Sequence, residues 1–106
     1  MIRVTVLYPD GDGKTFDHDY YVNSHIPMVS EKLKSFGLVK ATVDKGLGGA
    51  APGSSAPYVT IASLVFETIE GFQQAFGAHG EEMMADVPNY TNIEPIIQVS
   101  EITVGD

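Results

Sequence analysis

The chain has 106 residues, of which 43% are apolar and 19% charged, and its net charge is −8 at neutral pH. This length and composition predict one globular domain, residues 1–106, and exclude a disordered chain. The negative charge disfavours nucleic acid and anionic membrane surfaces as partners, and the absence of cysteine excludes disulfides and thiolate chemistry.

The first predicted element is a strand, in which the apolar residues Ile2, Val4, Val6 and Tyr8 fall at alternate positions. A period of 2 is typical of a strand with one buried face. The strand lies where a signal peptide would begin, and no apolar run approaches the roughly 20 residues of a membrane span. We therefore expect a cytoplasmic protein without a membrane segment.

A helical segment is predicted next, over residues 15–36. Thr15 is the expected N-cap, Asp17 lies in the first turn, where the helix dipole favours negative charge, and Gly37 ends the segment. Pro27 falls inside the segment and has no N–H to donate to a carbonyl of the preceding turn. The sequence therefore predicts two consecutive helical pieces with a break just before the proline.

Two strands and a long loop follow. Residues 38–47 predict a strand, and residues 58–66, YVTIASLVF, predict another that is apolar on both faces and needs cover on both. The loop at 48–56 consists of glycine, alanine, serine and proline and is expected to be mobile. Its two interpretations are a plain hairpin connector and a lid over a pocket.

The last two elements are a helix and a strand. Thr68 is the expected N-cap of the helix, which ends near Asp86 and has an apolar stripe that advances in steps of 3 and 4. In the final strand, Pro95 indicates an edge position, because proline cannot donate to a neighbouring strand. The stripe consists of Ile69, Phe72, Phe76, His79 and Met83.

The order of elements, strand, helix, strand, strand, helix, strand, predicts an α+β protein with the ferredoxin-like βαββαβ fold. In this fold a four-stranded antiparallel sheet carries both helices on one face and leaves the other face bare. Because the third strand is apolar on both faces, we expect a second copy of the chain to cover the bare face. The predicted assembly is a two-fold homodimer with its sheets face to face.

Three side chains on one face of the first helical segment are of types that are common in catalytic sites. Asp17, Tyr21 and His25 are spaced four residues apart, so they lie on one face of a helix and each can contact the next. Asp17 and His25 are two turns apart, about 12 Å, so the aspartate would reach the histidine only through the tyrosine. The line does not encode a protease-like triad.

His25 has two interpretations. Its side chain is suited to general acid or base catalysis near neutral pH, with Pro27 fixing the backbone that aims the ring into a cavity. Alternatively, its ring nitrogens satisfy carbonyls that the proline leaves without a partner. Tyr20 and Tyr21 point about 100° apart, so one is expected to pack on the sheet while the other lines a pocket.

The other polar candidates are dispersed. His18 is expected to be solvated, and His79 is either a core histidine or a second polar group in the pocket. Asn89 and Tyr90 are either turn residues or groups at the pocket entrance or the subunit interface. A metal held by His25, His79 and one carboxylate is weakly supported, and no glycine-rich stretch has the context of a nucleotide site. We expect no metal and no cofactor.

Two stretches, FDHDYYVNSHIPMV and FQQAFGAHGEEMMADVPNYTNIEPIIQVSEI, resemble the EthD family, named for ethyl tert-butyl ether degradation. The resemblance spans essentially the whole chain. Tyr90, where phenylalanine is common, and Met28, where leucine is common, are mild departures. The residues that carry it are Phe16, Asp17, Tyr20, Tyr21, His25, Pro27, Ala85, Asp86, Pro88 and Asn89.

The resemblance implies a ferredoxin-like subunit of a dimeric α/β barrel, a superfamily that includes muconolactone isomerases, cofactor-free monooxygenases and polyketide-modifying enzymes. The main hypothesis is a small cofactor-independent enzyme, of oxidoreductase or isomerase type, acting on a small apolar, oxygen-bearing metabolite in a catabolic pathway. In it, His25 moves a proton, Tyr21 stabilises the developing oxyanion and Asp17 tunes the tyrosine through a hydrogen bond. The alternatives are a non-catalytic protein that binds such a molecule in support of an oxygenase system, and a structural dimer whose polar segment lines the subunit contact.

Overall fold

The computed structural model describes residues 1–105, and its four strands form one antiparallel sheet. β1 (Ile2–Pro9) and β3 (Tyr58–Phe66) occupy the centre, with β2 (Leu38–Lys45) beside β3 and β4 (Ile96–Glu101) beside β1. Residues from both helical segments pack on the same face. This is the ferredoxin-like βαββαβ fold, as the order of elements predicts.

The core lies between the sheet and the helices. Val4 of β1 stands opposite Leu64 of β3 and Val99 of β4, so even-numbered side chains of the central strands turn toward the helices. Val4 and Leu64 are buried there against helical residues. The even-numbered apolar residues that predicted β1 are therefore on the strand face that packs in the core. Other buried members of this cluster are Val29, Leu33, Phe66, Ala75 and Met83.

The first helical segment is not one regular helix. It consists of α1 (His18–Tyr20), a π-helical turn (Tyr21–His25), α2 (Ile26–Leu33) and a 3₁₀ turn (Lys34–Phe36). The N–H of Ile26 donates to the carbonyl of Tyr21, five residues back, which defines the π-helical turn. Pro27 follows as the second residue of α2. The break predicted before the proline is thus a wider turn.

The N-cap of this segment is Asp17, and the prediction of Thr15 was wrong. The carboxylate of Asp17 accepts a 3.0 Å hydrogen bond from the N–H of Tyr20, and the backbone of Asp17 is extended, as a cap requires. Thr15 lies before the helix because the next residue, Phe16, forms a β-bridge with Thr91. That bridge keeps the chain extended up to Asp17.

The second helical segment is α3 (Ile69–Ala85), followed by a 3₁₀ turn (Val87–Asn89). Thr68 is its N-cap, as predicted, because the hydroxyl of Thr68 accepts a hydrogen bond from the N–H of Gly71. The helix ends at Asp86, its C-cap. Neither α3 nor any other helix within residues 1–105 is long and apolar enough to cross a membrane.

The edges and the far face of the sheet also follow the prediction. β4 is an edge strand, and Pro95 lies immediately before it. On the face away from the helices, Leu7 stands between Ile61 and Ile96 on the neighbouring strands, and Ile96 is 50% exposed. The chain therefore presents an apolar row on a face that its own helices leave uncovered.

Candidate functional site

A cavity lies between the sheet and the helices. The volume open to the centre of a water molecule is about 60 Å³, and the lining side chains other than tyrosine are all apolar. Phe76, Met84 and Ile97 line it and are 38–40% exposed, which places its mouth between α3 and the edge strand β4. No lining residue comes from the loop at 48–56, so the cavity gives no support to the interpretation of that loop as a lid.

Three buried tyrosines form part of the wall of this cavity. Tyr8 comes from β1, Tyr21 from the π-helical turn and Tyr90 from the segment after the second 3₁₀ turn, and none is more than 3% exposed. The hydroxyl oxygen of Tyr8 lies 2.8 Å from that of Tyr90 and 3.4 Å from that of Tyr21. The ring of Phe16 packs edge to face against all three rings, at centroid distances of 5.0–5.4 Å. We call these three residues the tyrosine cluster.

The tyrosine cluster has one more donor than it has internal hydrogen bonds. Three hydroxyls carry three O–H groups, but two contacts join them, so one O–H has no acceptor in the cluster whichever way the bonds run. With Tyr8 donating to Tyr21, the spare O–H is that of Tyr21. The 3.4 Å contact is also long for a hydrogen bond between hydroxyls, and the hydroxyl of Tyr21 has no other hydrogen bond within residues 1–105. Tyr21 is therefore the residue of the cluster whose O–H lacks an acceptor.

Burial keeps the tyrosine cluster protonated. Loss of hydration raises the pKa of Tyr8, Tyr21 and Tyr90 well above the ordinary value of 10.0, and repulsion between neighbouring phenolates raises each pKa further. A hydroxyl that stays neutral donates a hydrogen bond and does not act as a base. The arrangement is suited to stabilising negative charge on a ligand oxygen.

A second polar cluster adjoins the first and centres on the carboxylate of Asp86. One oxygen of Asp86 accepts from the hydroxyl of Tyr20 at 2.8 Å and from the side-chain amide of Asn89 at 2.9 Å, while the other lies 2.8 Å from Nδ1 of His25. Burial raises the pKa of Asp86, but the hydrogen bonds from Asn89, His25 and Tyr20 outweigh burial and hold the pKa below its ordinary value of 3.8. Asp86 is therefore ionised at neutral pH.

His25 connects the two clusters. Its ring stacks on that of Tyr21, with the centroids 5.2 Å apart and the planes at 16°, and its centroid lies 4.7 Å from that of Tyr90. His25 is not itself a lining residue of the cavity, and its side chain is only 7% exposed. Its Nε2 makes no hydrogen bond within residues 1–105. Every fully buried side-chain nitrogen or oxygen in these residues has a hydrogen bond, so Nε2 is not fully buried. That nitrogen therefore keeps some contact with solvent.

Asp17 lies apart from this arrangement. Its carboxylate is exposed and caps the helix through the N–H of Tyr20, whereas the hydroxyl of Tyr21 contacts Tyr8. The hydrogen bond predicted from Asp17 to Tyr21 does not form in the described structure. The prediction assumed that residues four apart meet, but the capping role holds the carboxylate at the helix end while burial draws the ring of Tyr21 inward.

The predicted pocket residues divide between two places. Tyr90 lines the cavity, whereas Tyr20 and Asn89 border a shallow surface depression beside Asp86. His79 lines neither, because it pairs with Glu82 on the surface of α3. The structure thus brings Tyr21, His25 and Tyr90 together and places the other predicted pocket residues around or outside them.

The structure also shows where His18 lies and how far apart the residues of the possible metal site are. His18, expected to be solvated, is half-buried, with Nε2 2.7 Å from the hydroxyl of Thr60 and its ring against Phe16. In the part of the chain that the structure describes, no three potential metal ligands come together. His25 and His79 belong to separate clusters, so they do not form the metal site considered from the sequence.

Two residues of the site were not predicted as site residues. Tyr8 was assigned only to the core face of its strand, and Asp86 only to the end of a helix and to the family motif. A tyrosine at an inward position of a central strand and a carboxylate at a helix end are common, so neither gave a local signal. Their roles depend on contacts to residues 61 to 82 positions away in the sequence.

The fold and the tyrosine-walled cavity define a ferredoxin-like protein with a candidate site between its sheet and its helices. The family model described as the EthD domain matches residues 11–94. An EthD-like protein from Ralstonia eutropha JMP134 is 39% identical, with 99% of this chain and 94% of that chain covered and a TM-score of 0.93. The chain belongs to the EthD family.

More distant structures share the fold alone. A dimeric ferredoxin-like protein from an uncultured marine organism is 8% identical, with a TM-score of 0.63 and 100% of this chain and 98% of that chain covered. SnoaB, a cofactor-independent oxygenase from Streptomyces nogalater, is 12% identical, with a TM-score of 0.55 and 99% and 96% covered. No curated protein has significant sequence similarity to this chain.

Proposed function

We propose that this protein is a cofactor-independent enzyme that binds a small, largely apolar molecule bearing a carbonyl or phenolic oxygen and promotes the loss of a proton from it. The observation that carries the proposal is the spare O–H of Tyr21, a buried residue whose side chain also lines an almost entirely apolar cavity. A buried donor without an acceptor is costly, and a ligand oxygen relieves that cost. The apolar walls select the rest of the ligand.

The proposed chemistry uses the neutral state of the tyrosines. When a proton leaves carbon next to a carbonyl, negative charge develops on the oxygen, and a fixed O–H aimed at that oxygen stabilises the transition state. Tyr21 is assigned this role because its raised pKa keeps it a donor at any physiological pH. His25, stacked on Tyr21, is the proposed proton acceptor. Asp17 is given no role in the proposal, since its carboxylate caps the helix.

Loss of this proton is the first step of both reaction types considered from the sequence. An isomerase returns the proton to a different carbon, and a cofactor-free oxygenase lets the resulting carbanion react with dioxygen. The fold of SnoaB, a cofactor-independent oxygenase, supports the second type, but at 12% identity it supports the architecture and not the residues. We therefore propose only the shared step, the loss of the proton.

Binding is tested with a matched pair of probes, p-cresol and toluene, which differ by one hydroxyl group. We expect wild type to bind p-cresol more tightly in ligand-observed NMR, and Tyr21→Phe to weaken p-cresol about 5- to 30-fold while leaving toluene unchanged, since about 1–2 kcal/mol is lost with one hydrogen bond. Tyr58→Phe is the control, because the hydroxyl of Tyr58 makes no hydrogen bond within residues 1–105. Equal affinity of Tyr21→Phe and wild type for p-cresol would contradict the proposal.

Proton removal is tested with acetophenone in D₂O, whose methyl protons exchange through the enolate. We expect wild type to accelerate their exchange, as followed by proton NMR, and both Tyr21→Phe and His25→Ala to lose most of the acceleration. Binding without any exchange would favour the second candidate, a non-catalytic protein that binds such molecules. The observation in favour of that candidate is that His25 does not line the cavity.

We also propose that the protein is a homodimer. The support is the row formed by Leu7, Ile61 and Ile96 on the uncovered face of the sheet, together with the dimeric ferredoxin-like neighbour of the same fold. Light scattering at micromolar concentration is expected to return twice the mass of the chain. Leu7→Lys, which places a charge in the middle of that row, should shift the protein toward a monomer, and a monomeric wild type would refute the assembly.

A further inference from the structure

The pairing of Asp86 with His25 carries an inference that rests on the proposed function and deepens it. We propose that Asp86 is a positioning residue, which holds His25 with Nδ1 as a hydrogen-bond donor and Nε2 as the proton acceptor. Neither the family match nor the sequence patterns assign a role to Asp86. Four observations carry the inference. The two carboxylate oxygens of Asp86 have separate partners, and Asp86 is itself held by hydrogen bonds. Two tyrosine rings pack against the imidazole, and Nε2 makes no hydrogen bond among the described residues.

The carboxylate decides which nitrogen of His25 carries the proton. Oδ2 of Asp86 lies 2.8 Å from Nδ1, and the two side chains are 17% and 7% exposed, so the contact is largely shielded from water. An ionised carboxylate only accepts hydrogen bonds, so Nδ1 must be the donor. The lone pair of the neutral ring then lies on Nε2.

Asp86 is itself held in place. Its backbone N–H caps α3 by donating to the carbonyls of Met83 and Met84. Its Oδ1 accepts hydrogen bonds from the hydroxyl of Tyr20 and the side-chain amide of Asn89. The two oxygens of the carboxylate therefore have separate partners, and Oδ2 is left for His25. Such support fixes the direction from which the carboxylate meets the imidazole.

The ring of His25 is oriented from its flat sides as well. Tyr21 stacks on it nearly parallel, and Tyr90 contacts it at 52°, so rotation of the imidazole would disturb two buried aromatic rings. Tyr21 and His25 are the first and last residues of the π-helical turn. The same two tyrosines line the cavity, so the ring of His25 packs directly behind part of the cavity wall.

The proposed step is balanced without a further reactant. A C–H bond of the ligand breaks, an N–H bond forms at Nε2, and the electron pair moves to the ligand oxygen that accepts from Tyr21. The resulting imidazolium faces the carboxylate of Asp86, which compensates its charge. In D₂O the proton on Nε2 exchanges with solvent, and the reverse step then delivers a deuteron to the carbon and regenerates the neutral ring.

The tautomer is measured directly by ¹⁵N NMR of histidine-labelled wild type at a pH where His25 is neutral. We expect a protonated Nδ1 and an unprotonated Nε2 for His25. A protonated Nε2 with a bare Nδ1 would overturn the inference. This measurement needs neither a variant nor a substrate, so it remains decisive if a substitution prevents folding.

Asp86→Asn provides the test in a variant. The amide oxygen is expected to keep the two donors that Oδ1 has now, which turns the amide NH₂ toward Nδ1 and moves the proton of His25 to Nε2. We expect the tautomer to switch and the exchange of acetophenone protons to slow by about 100-fold or more. Exchange at the wild-type rate in Asp86→Asn would overturn the inference.

Glu82→Gln is the matched control, because Glu82 is also a carboxylate of α3 that pairs with a histidine, in this case His79. In Glu82→Gln, the tautomer of His25 and the rate of acetophenone proton exchange should equal those of wild type. Failure of the proposed function is distinguishable from failure of this inference: a wild type that exchanges no protons contradicts the function, whereas the tautomer of His25 judges the role of Asp86 alone.

Discussion

Tyr8 and Tyr90 lie 82 residues apart in the sequence, yet their buried hydroxyls share a hydrogen bond of 2.8 Å. The bond joins the first strand of the sheet to the segment that leads into the last strand, beside the wall of the cavity. A buried hydroxyl pair of this kind both closes the core and fixes the position of the donor groups. The structure of the site and the stability of the fold therefore depend on the same side chains.

Replacing Tyr8 by phenylalanine tests this connection. The substitution leaves Tyr90 and Tyr21 with buried hydroxyls that lack their partner, so we expect a loss of about 1–3 kcal/mol in the free energy of unfolding, measured with urea. Tyr58→Phe removes a hydroxyl without a hydrogen bond in the described chain and should change stability by less than about 0.5 kcal/mol. Equal stability of the two variants would show that the bond contributes little.

The fold followed from the sequence because its signals are local. The alternation of β1, the two-sided apolar composition of β3 and the position of Pro95 each depend on a few adjacent residues, and together they fix the order of the elements. The break before Pro27 was predicted for the same reason. Its form, a π-helical turn, was not, because a proline indicates that a helix is interrupted but not which turn replaces it.

The site was predicted only in part, because its contacts are long-range. Spacing along one helix found Tyr21 and His25 but added Asp17, which caps the helix instead. The carboxylate that His25 meets is Asp86, 61 residues away, and the hydroxyl that Tyr21 meets belongs to Tyr8 on a strand. No pattern of 3.6 or 2 residues relates those pairs. They become neighbours only when the helices pack on the sheet.

High pH should destabilise the protein through the tyrosine cluster. The folded pKa of each of its three tyrosines lies above the unfolded value of 10.0, so their contribution to stability is complete below pH 10 and is lost as the pH rises past it. We expect the free energy of unfolding to fall between pH 9 and pH 11, by up to about 1.4 kcal/mol per pH unit for each tyrosine. Tyr8→Phe should show a shallower fall. Titration of all five tyrosines near pH 10 in the folded protein, read from phenolate absorbance, would contradict this.

Low pH should act through Asp86. Its folded pKa is lowered below 3.8, so its contribution is present above that value and is lost as the pH falls through the folded pKa. We expect Asp86→Asn to be less stable than wild type by about 1 kcal/mol at pH 6, with the difference shrinking below pH 4. Glu82→Gln should differ little from wild type at either pH, because the ion pairs of Glu82 are exposed. A pH-independent difference for Asp86→Asn would rule out the charged form as its cause.

The packing of α3, which carries Asp86 at its end, can be tested with two glycines of the same helix. A Cβ added at Gly71 would lie 2.3 Å from the carbonyl oxygen of Phe36, whereas a Cβ at Gly77 meets nothing within 4 Å. Because a backbone oxygen cannot move aside cheaply, we expect Gly71→Ala to cost about 3 kcal/mol or more and to shift α3 against the sheet. Gly77→Ala should instead stabilise the protein by about 0.5–1 kcal/mol through helix propensity. Thermal and urea unfolding measure both, and a Gly71→Ala variant as stable as Gly77→Ala would show that the helix start does not pack against Phe36 as described.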